Sequence, residues 1–407
     1  MAFYSNHLCE RGSEIALYDY ADFAERLRGA TAFVLYDATS DKNVQMVIDR
    51  FKARFGCRLV GIARPQEIAP ALETRGVSHC YIIKFGHRDE PSMKWFGRSV
   101  RTMVHAVFDA TEPHGGAYAR ISPCVPCLPG ARPVPVVPHM VRPVDPTGPD
   151  LRAELGIPPS ATVFGRHGGE DTFDIPEARS AILEVARTRR DIYFVLLNTA
   201  WPPRKLCPPN VLHLDPTMDE ERKARFIRTC DAMIHARLTG ETFGLAVAEF
   251  SVANRPVITS LRHHECGAAD FHLRTLGAHP RGAQLFYHDA ASCARLLLNF
   301  DRHAAKTHDW NAYRAFAPER VMPLFWACFV DGREEEGHQP AGGAYDPRSR
   351  RSVQPEGAGP MAGPTPGAAW LQAPTPSGPS SSSAPGGSDV HHSNPFVRAA
   401  AMAGQGR

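Results

Sequence analysis

The sequence predicts an α/β protein built from two Rossmann-like, doubly wound domains facing a cleft, followed by a disordered tail. Three observations predict it. Short, nearly continuous apolar runs alternate with amphipathic segments of helical spacing, the pattern of parallel strands buried on both faces between covering helices. A proline-dense stretch at 123–149 interrupts the alternation, which then restarts. From about residue 332 the chain is dominated by Pro, Gly, Ala and Ser, a composition that cannot bury enough apolar surface to offset its ordering entropy. At 407 residues the chain also exceeds one ordinary core.

In the first half, Ala32-Phe33-Val34-Leu35-Tyr36 is a strand, and residues 43–55 follow with Val44, Val47, Ile48 and Phe51 on one helical face. Leu59-Val60-Gly61-Ile62 is the next strand, 68–75 a helix, Cys80-Tyr81-Ile82-Ile83 another strand, and 100–104 the approach to one more. The prolines of 133–138, with Pro143 and Pro146 beyond, cannot continue a central strand or a helix. The junction falls there, giving domains at 1–140 and 141–331, the second with closing helices, and a tail at 332–407. In the second half, strands are expected at 162–166, 192–197, 211–214, 232–236 and 255–259, with helices at 176–188, 219–229 and from Leu245 onward. Ligands of doubly wound sheets sit at the carboxyl ends of strands, so function is sought in the loops that follow them.

Charge and composition narrow the classes. Basic and acidic residues number 46 and 43, and this balance offers no electrostatic footprint for nucleic acid. The first residues lack the basic start and apolar core of a signal peptide, and no apolar stretch approaches the ~20 residues of a membrane span. Ten scattered cysteines then read as reduced thiols in a cytoplasmic protein; peripheral membrane contact stays open.

The densest chemistry lies where the strand near Ala236 runs into Arg237-Leu238-Thr239-Gly240-Glu241-Thr242-Phe243-Gly244 and a helix begins at Leu245. Gly240 and Gly244 permit close backbone approach. The first amides of a helix lack internal partners and carry the positive end of its dipole, which together suit a phosphate. Glu241 lies in the loop and Glu249 about one turn into the helix. A nucleotide sugar has this layout, with diphosphate in the middle, sugar on one side and ribose on the other.

Glu241 and Glu249, with Phe243-Gly244 between them and Arg255-Pro256-Val257-Ile258 following, resemble the E-x7-E signature of retaining glycosyltransferases of family 4 (the glycosyl transferases group 1 type), which have the two-domain GT-B fold. The resemblance spans roughly residues 5–302 and is strongest at 232–259. It implies that Glu241 lies beside the donor sugar, that Glu249 binds the ribose hydroxyls, and that the backbone of Phe243, Gly244 and Leu245 holds the diphosphate. Thr242 departs from the glycine common in relatives. Gly12, in Arg11-Gly12-Ser13-Glu14, resembles the family's glycine turn beside the donor phosphates. His105, in Val104-His105-Ala106-Val107-Phe108, resembles its histidine near the donor sugar, a catalytic position with Glu241. Arg166, in Gly165-Arg166, resembles the arginine that neutralises the diphosphate. The lysine that often follows that arginine is missing from His167-Gly168-Gly169-Glu170-Asp171; Arg204 and Lys205, after the next strand, are the candidates to supply that charge at the phosphates.

The resemblance implies a hexosyltransferase-type enzyme with no cofactor and no metal, using a nucleotide sugar as substrate and a glycan, lipid or protein hydroxyl as acceptor. A catalytically inactive sugar-nucleotide binder, favoured by the missing lysine, and a sugar epimerase or phosphorylase on the same fold are the alternatives. Cys124-Val125-Pro126-Cys127, His263-His264-Glu265-Cys266 and the pair His391 and His392 are set aside as metal or redox sites, because none brings a full ligand set or a second CxxC.

Overall fold

The computed structural model describes residues 1–129, 133–261 and 269–332. The motif at 263–266, the pair His391 and His392, and the expected tail beyond Gly332 lie outside the described residues.

Six short strands, β1 (Ala2–Ser5), β2 (Phe33–Asp37), β3 (Leu59–Ile62), β4 (His79–Lys84), β5 (Arg101–Ala106) and β6 (Ala117–Arg120), form a wholly parallel sheet in the order β3-β2-β1-β4-β5-β6. Its helices are α1 (Gly12–Arg28), α2 (Gln45–Phe55) and α3 (Ile68–Glu73). Side chains alternate across the sheet as the strand period requires: Phe3, Val34, Tyr81 and Met103 join the core that includes Leu17, Val47 and Phe51, while Ala2, Tyr4, Leu35 and Ile82 pack with Ile68, Leu72 and Phe96.

The second sheet repeats the plan. Strands β7 (Thr162–Arg166), β8 (Ile192–Leu197), β9 (Val211–Leu214) and β10 (Ala232–Ile234), then a two-residue strand β11 (Gly240–Glu241), precede β12 (Val257–Ser260), β13 (Ala269–Asp270) and β14 (Phe286–Tyr287). The main sheet runs β14-β12-β10-β7-β8-β9, all parallel, and β11 pairs only with β13. The helices between are α4 (Pro176–Thr188), α5 (Glu220–Thr229), α6 (Leu245–Val252), α7 (Phe271–Ala278), α8 (Ala290–Leu298) and α9 (Arg302–Thr307). Each sheet reverses its winding once, between β1 and β4 and between β7 and β10, which is where a doubly wound sheet opens a crevice for ligand. The expected fold of two doubly wound parallel sheets is present.

The two sheets share one continuous core. Val137, Met140 and Val141 of the proline-rich connection are buried in it with Phe243, Phe316 and Phe325. The last helix, α10 (Pro318–Phe325), and the π-helical turn Trp326–Asp331 return to the first sheet, where Phe325 stacks on Tyr20 at 4.8 Å and Phe329 meets Tyr81 at 5.6 Å. Residues that composition groups with the second domain as closing helices thus complete the packing of the first. No described helix is long and apolar enough to cross a membrane.

Candidate active site

The loop from β10 to α6 is held by backbone constraints that only glycine meets. Gly240 has φ +64°, and a Cβ there would stand 1.9 Å from the carbonyl oxygen of Ala269, its partner in the β11–β13 pair. Gly244 caps α6 at φ +84°, 3.2 Å from the side chain of Glu241 by the same measure. No side chain caps this helix, so its leading amides remain the natural seat of an anion. Phe243 is an anchor rather than a wall of the cleft: its ring is buried, stacked on Phe271 at 5.4 Å and edge-on to Phe316, and its carbonyl accepts a hydrogen bond of 2.9 Å from the Tyr313 hydroxyl. The backbone of Phe243, Gly244 and Leu245, which the resemblance assigns to the diphosphate, is thereby held in place.

The two glutamates flank that helix start, each in its own charge setting. Glu241 Oε2 accepts from Arg237 Nη1 at 2.7 Å, and Oε1 lies 3.4 Å from His235 Nε2, whose Nδ1 is 2.8 Å from Thr259 Oγ1. Burial alone would raise the pKa of Glu241, but the Arg237 charge, followed by His235, outweighs it and holds the carboxyl far below the usual carboxylate range. Glu249 accepts from Lys223 Nζ of α5, and its other oxygen is 3.1 Å from His167 Nε2, a close contact off the line of a hydrogen bond. Here too burial works upward, and Lys223 with His167 brings the pKa down to about 2. His167 is oriented by stacking on Phe250 of α6 at 5.7 Å.

The remaining candidates are placed differently from one another. Gly12 begins α1 and lies against α6: a Cβ on it would stand 3.5 Å from Leu245 Cδ1, so the turn after β1 meets the start of α6. Arg166, at the end of β7, is buried, and both terminal nitrogens are spent on its own domain, on the Asn198 carbonyl at 2.8 Å, Thr199 Oγ1, the Gly169 carbonyl and Thr172 Oγ1. Burial, the largest influence, lowers its pKa to about 10 although Glu241 pulls the other way. His105 is fully buried in β5. Its Nε2 faces the Val137 carbonyl at 2.8 Å and so carries the proton, leaving Nδ1 to accept from the Tyr81 hydroxyl at 2.6 Å. It ties the first sheet to the connection between domains. Lys205 is exposed in the turn Arg204–Leu206.

Four residues at the site escaped sequence reasoning: His167, Lys223, His235 and Arg237. His235 and Arg237 stand within six residues of Glu241, and a buried carboxylate's need for cations was the available signal. Lys223 carries none, since α5 holds basic residues at 222, 223, 225 and 228 and only tertiary packing selects one of them.

The paired switch points, and the glycine-bounded loop with a glutamate on each side of a helix start, define a GT-B-like fold. No protein-family model and no curated protein matches the sequence. Among solved structures, the chain is similar to a glycosyltransferase from Rickettsia africae ESF-5, at 11% identity over 81% of this chain and 97% of that one, with a TM-score of 0.56. It is similar to HepE of Anabaena in complex with UDP-glucose, at 13% identity over 79% and 97%, TM-score 0.55. Sucrose-phosphate synthase from Thermosynechococcus elongatus matches at 15% identity over 81% and 95%, TM-score 0.50.

Proposed function

We propose that this chain is a retaining glycosyltransferase of the family-4 type, moving a sugar from a nucleoside diphosphate sugar to an acceptor hydroxyl. The observation that carries the reading is the placement of Glu241 and Glu249 on either side of the uncapped start of α6, at the switch point of the second sheet. The diphosphate rests on the amides of Phe243, Gly244 and Leu245. Glu249, held by Lys223 and His167, takes the ribose hydroxyls, and Lys223 supplies a cation where the lysine after Gly165-Arg166 is missing. Glu241 lies beside the sugar. HepE, similar in fold, was crystallised with UDP-glucose, which supports a uridine diphosphate donor.

In the step, the bond from the anomeric carbon to the phosphate oxygen breaks and a bond to the acceptor oxygen forms on the same face. The acceptor proton passes to the departing phosphate. Helix amides and nearby cations stabilise the charge developing there, so the reading needs no divalent ion at the phosphates.

A thermal-shift panel of nucleoside diphosphate sugars tests it, followed by product analysis with the stabilising donor. A bound donor raises stability by roughly 2.7 kcal/mol at a hundredfold excess over its dissociation constant. The expected result is stabilisation by one donor, slow release of free sugar without acceptor, and a product that keeps the donor's anomeric configuration. Stabilisation with no turnover would leave a binding protein; an altered sugar still joined to its nucleotide would mean an epimerase; inverted product would overturn the retaining assignment.

A further inference from the structure

The turn after β1 gathers a second set of chemical groups that the transferase reading leaves unused. His7, Cys9 and Glu14 each offer one ligand-type atom, all within 4.8 Å of one another. Cys9 Sγ is 3.4 Å from Glu14 Oε2, and His7 Nε2 is 3.8 Å from Glu14 Oε1. A tetrahedral zinc ion with ordinary Zn–S, Zn–N and Zn–O bonds sets its ligands about 3.4–3.6 Å apart, so small side-chain shifts close the triad. Cys9 and Glu14 are buried, while His7 is partly open.

Charge favours an ion here. Glu14 has His7 Nε2 beside it at 3.8 Å and feels the charge of Arg11, and a carboxylate under that much cover calls for compensation. A dication bound by one thiolate, one carboxylate and one neutral imidazole makes the buried cluster electroneutral. The surroundings are those of a supported metal site: Ser13 Oγ lies 3.0 and 2.9 Å from the two Glu14 oxygens, and Ser5 Oγ 3.5 Å from one. The loop bearing His7 and Cys9 is fixed at Leu8, whose amide donates to Asn43 Oδ1 at 2.8 Å and whose carbonyl accepts from the Val44 amide at 2.8 Å.

We propose that His7, Cys9 and Glu14 form a zinc(II) site with three protein ligands that pins the turn after β1 to the first turn of α1. The mixture of sulfur, nitrogen and oxygen donors suits zinc over calcium or magnesium. Binding displaces the Cys9 thiol proton to solvent as the Zn–S bond forms. Because Gly12 lies between the ligands Cys9 and Glu14 and against Leu245, the ion braces the face that α6 meets.

The full chain, stripped with chelator and dialysed, is titrated with zinc and separately with cobalt(II). The expected results are one equivalent of zinc bound and, with cobalt, a thiolate-to-metal charge-transfer band that disappears in Cys9→Ser. Glu14→Gln and His7→Ala should each weaken binding, and Ser13→Ala should do so by about tenfold or more, with circular dichroism confirming that each variant folds. Should Cys9→Ser not fold, the wild-type band and stoichiometry with the exposed-side variant His7→Ala still decide. A stripped chain that takes up no zinc, or a cobalt band that survives Cys9→Ser or is indifferent to His7→Ala, would overturn the site.

Discussion

Arg237 Nη1 donates to Glu241 Oε2 across 2.7 Å, four residues apart in the chain and both partly buried. The glutamate that the motif places beside the donor sugar therefore begins as one half of an ion pair, with His235 at its other oxygen. An arginine four residues before a loop glutamate is the kind of neighbour a motif omits and the electrostatics requires. It also changes how variants of this site are to be interpreted, because removing either partner leaves a charge behind.

Arg166 is the first test. Its guanidinium holds the loops after β7 and β8 through two carbonyls and two hydroxyls. Arg166→Met removes the guanidinium donor from the Asn198 carbonyl and both threonine hydroxyls in a buried place, while the Gly169 carbonyl keeps Thr172, which costs about 3 kcal/mol or more. The expected outcome is a markedly lower melting temperature without ligand and only a modest change in donor KM. A variant of normal stability whose donor KM rises strongly would instead make Arg166 a phosphate ligand first.

His105 is tested by the same logic, with the rate as the readout. His105→Phe keeps a flat aromatic ring but deprives the Tyr81 hydroxyl and the Val137 carbonyl of their partner. The stability loss should be about 2–4 kcal/mol, measured by urea unfolding, with single-turnover rate within a few-fold of wild type at a temperature where the variant is folded. A stable variant with a rate lowered a hundredfold would restore His105 to the sugar.

Most of the scaffold was legible, and the gaps have physical causes. Strands such as β8 announce themselves because both faces are buried and every residue from Ile192 to Leu197 is apolar or aromatic. The central strand β1 does not: Ala2–Ser5 is four residues at the chain start, and its place in the sheet depends on β2 and β4 on either side. Helix α1 was hidden by its own function in the fold. It buries Glu14, Asp19 and Asp22 among its apolar residues, two of them to receive Arg142 from the connection between domains, so no clean apolar stripe marks it. At the site, the glutamates and glycines followed from local sequence, whereas Lys223 reaches Glu249 across 26 positions.

The Glu249 pair makes stability depend on pH in a defined window. The carboxyl's pKa falls from the ordinary 4.5 to about 2 on folding, so the folded state prefers the ionised form. That contribution is fully present above pH 4.5 and is lost as pH falls toward 2, an amount on the order of 3 kcal/mol. The stability gap between wild type and Glu249→Gln, measured by urea unfolding at several pH values, should narrow by that order across this window. A gap that stays constant from pH 5 to 2 would show that Lys223 and His167 do not hold the carboxylate in solution.

Glu241→Gln carries the most weight, and the Arg237 contact dictates how it must be done. If Glu241 lies beside the transferring sugar, its charge matters most as the ring becomes positively charged in the transition state. Removing that charge while keeping size should lower kcat about a hundredfold, equivalent to ~3 kcal/mol, with donor KM little changed. The same change strips Arg237 of its counter-ion, so stability should also fall by about 3 kcal/mol, and a lower yield of folded protein would mimic lost turnover. The double variant Glu241→Gln with Arg237→Gln separates the two effects, because it removes the stranded charge as well. Its melting temperature should recover toward wild type while single-turnover rate stays about a hundredfold down. If rate recovers together with stability, Glu241 serves only to neutralise Arg237, and the glycosyltransferase chemistry assigned to this loop falls with it.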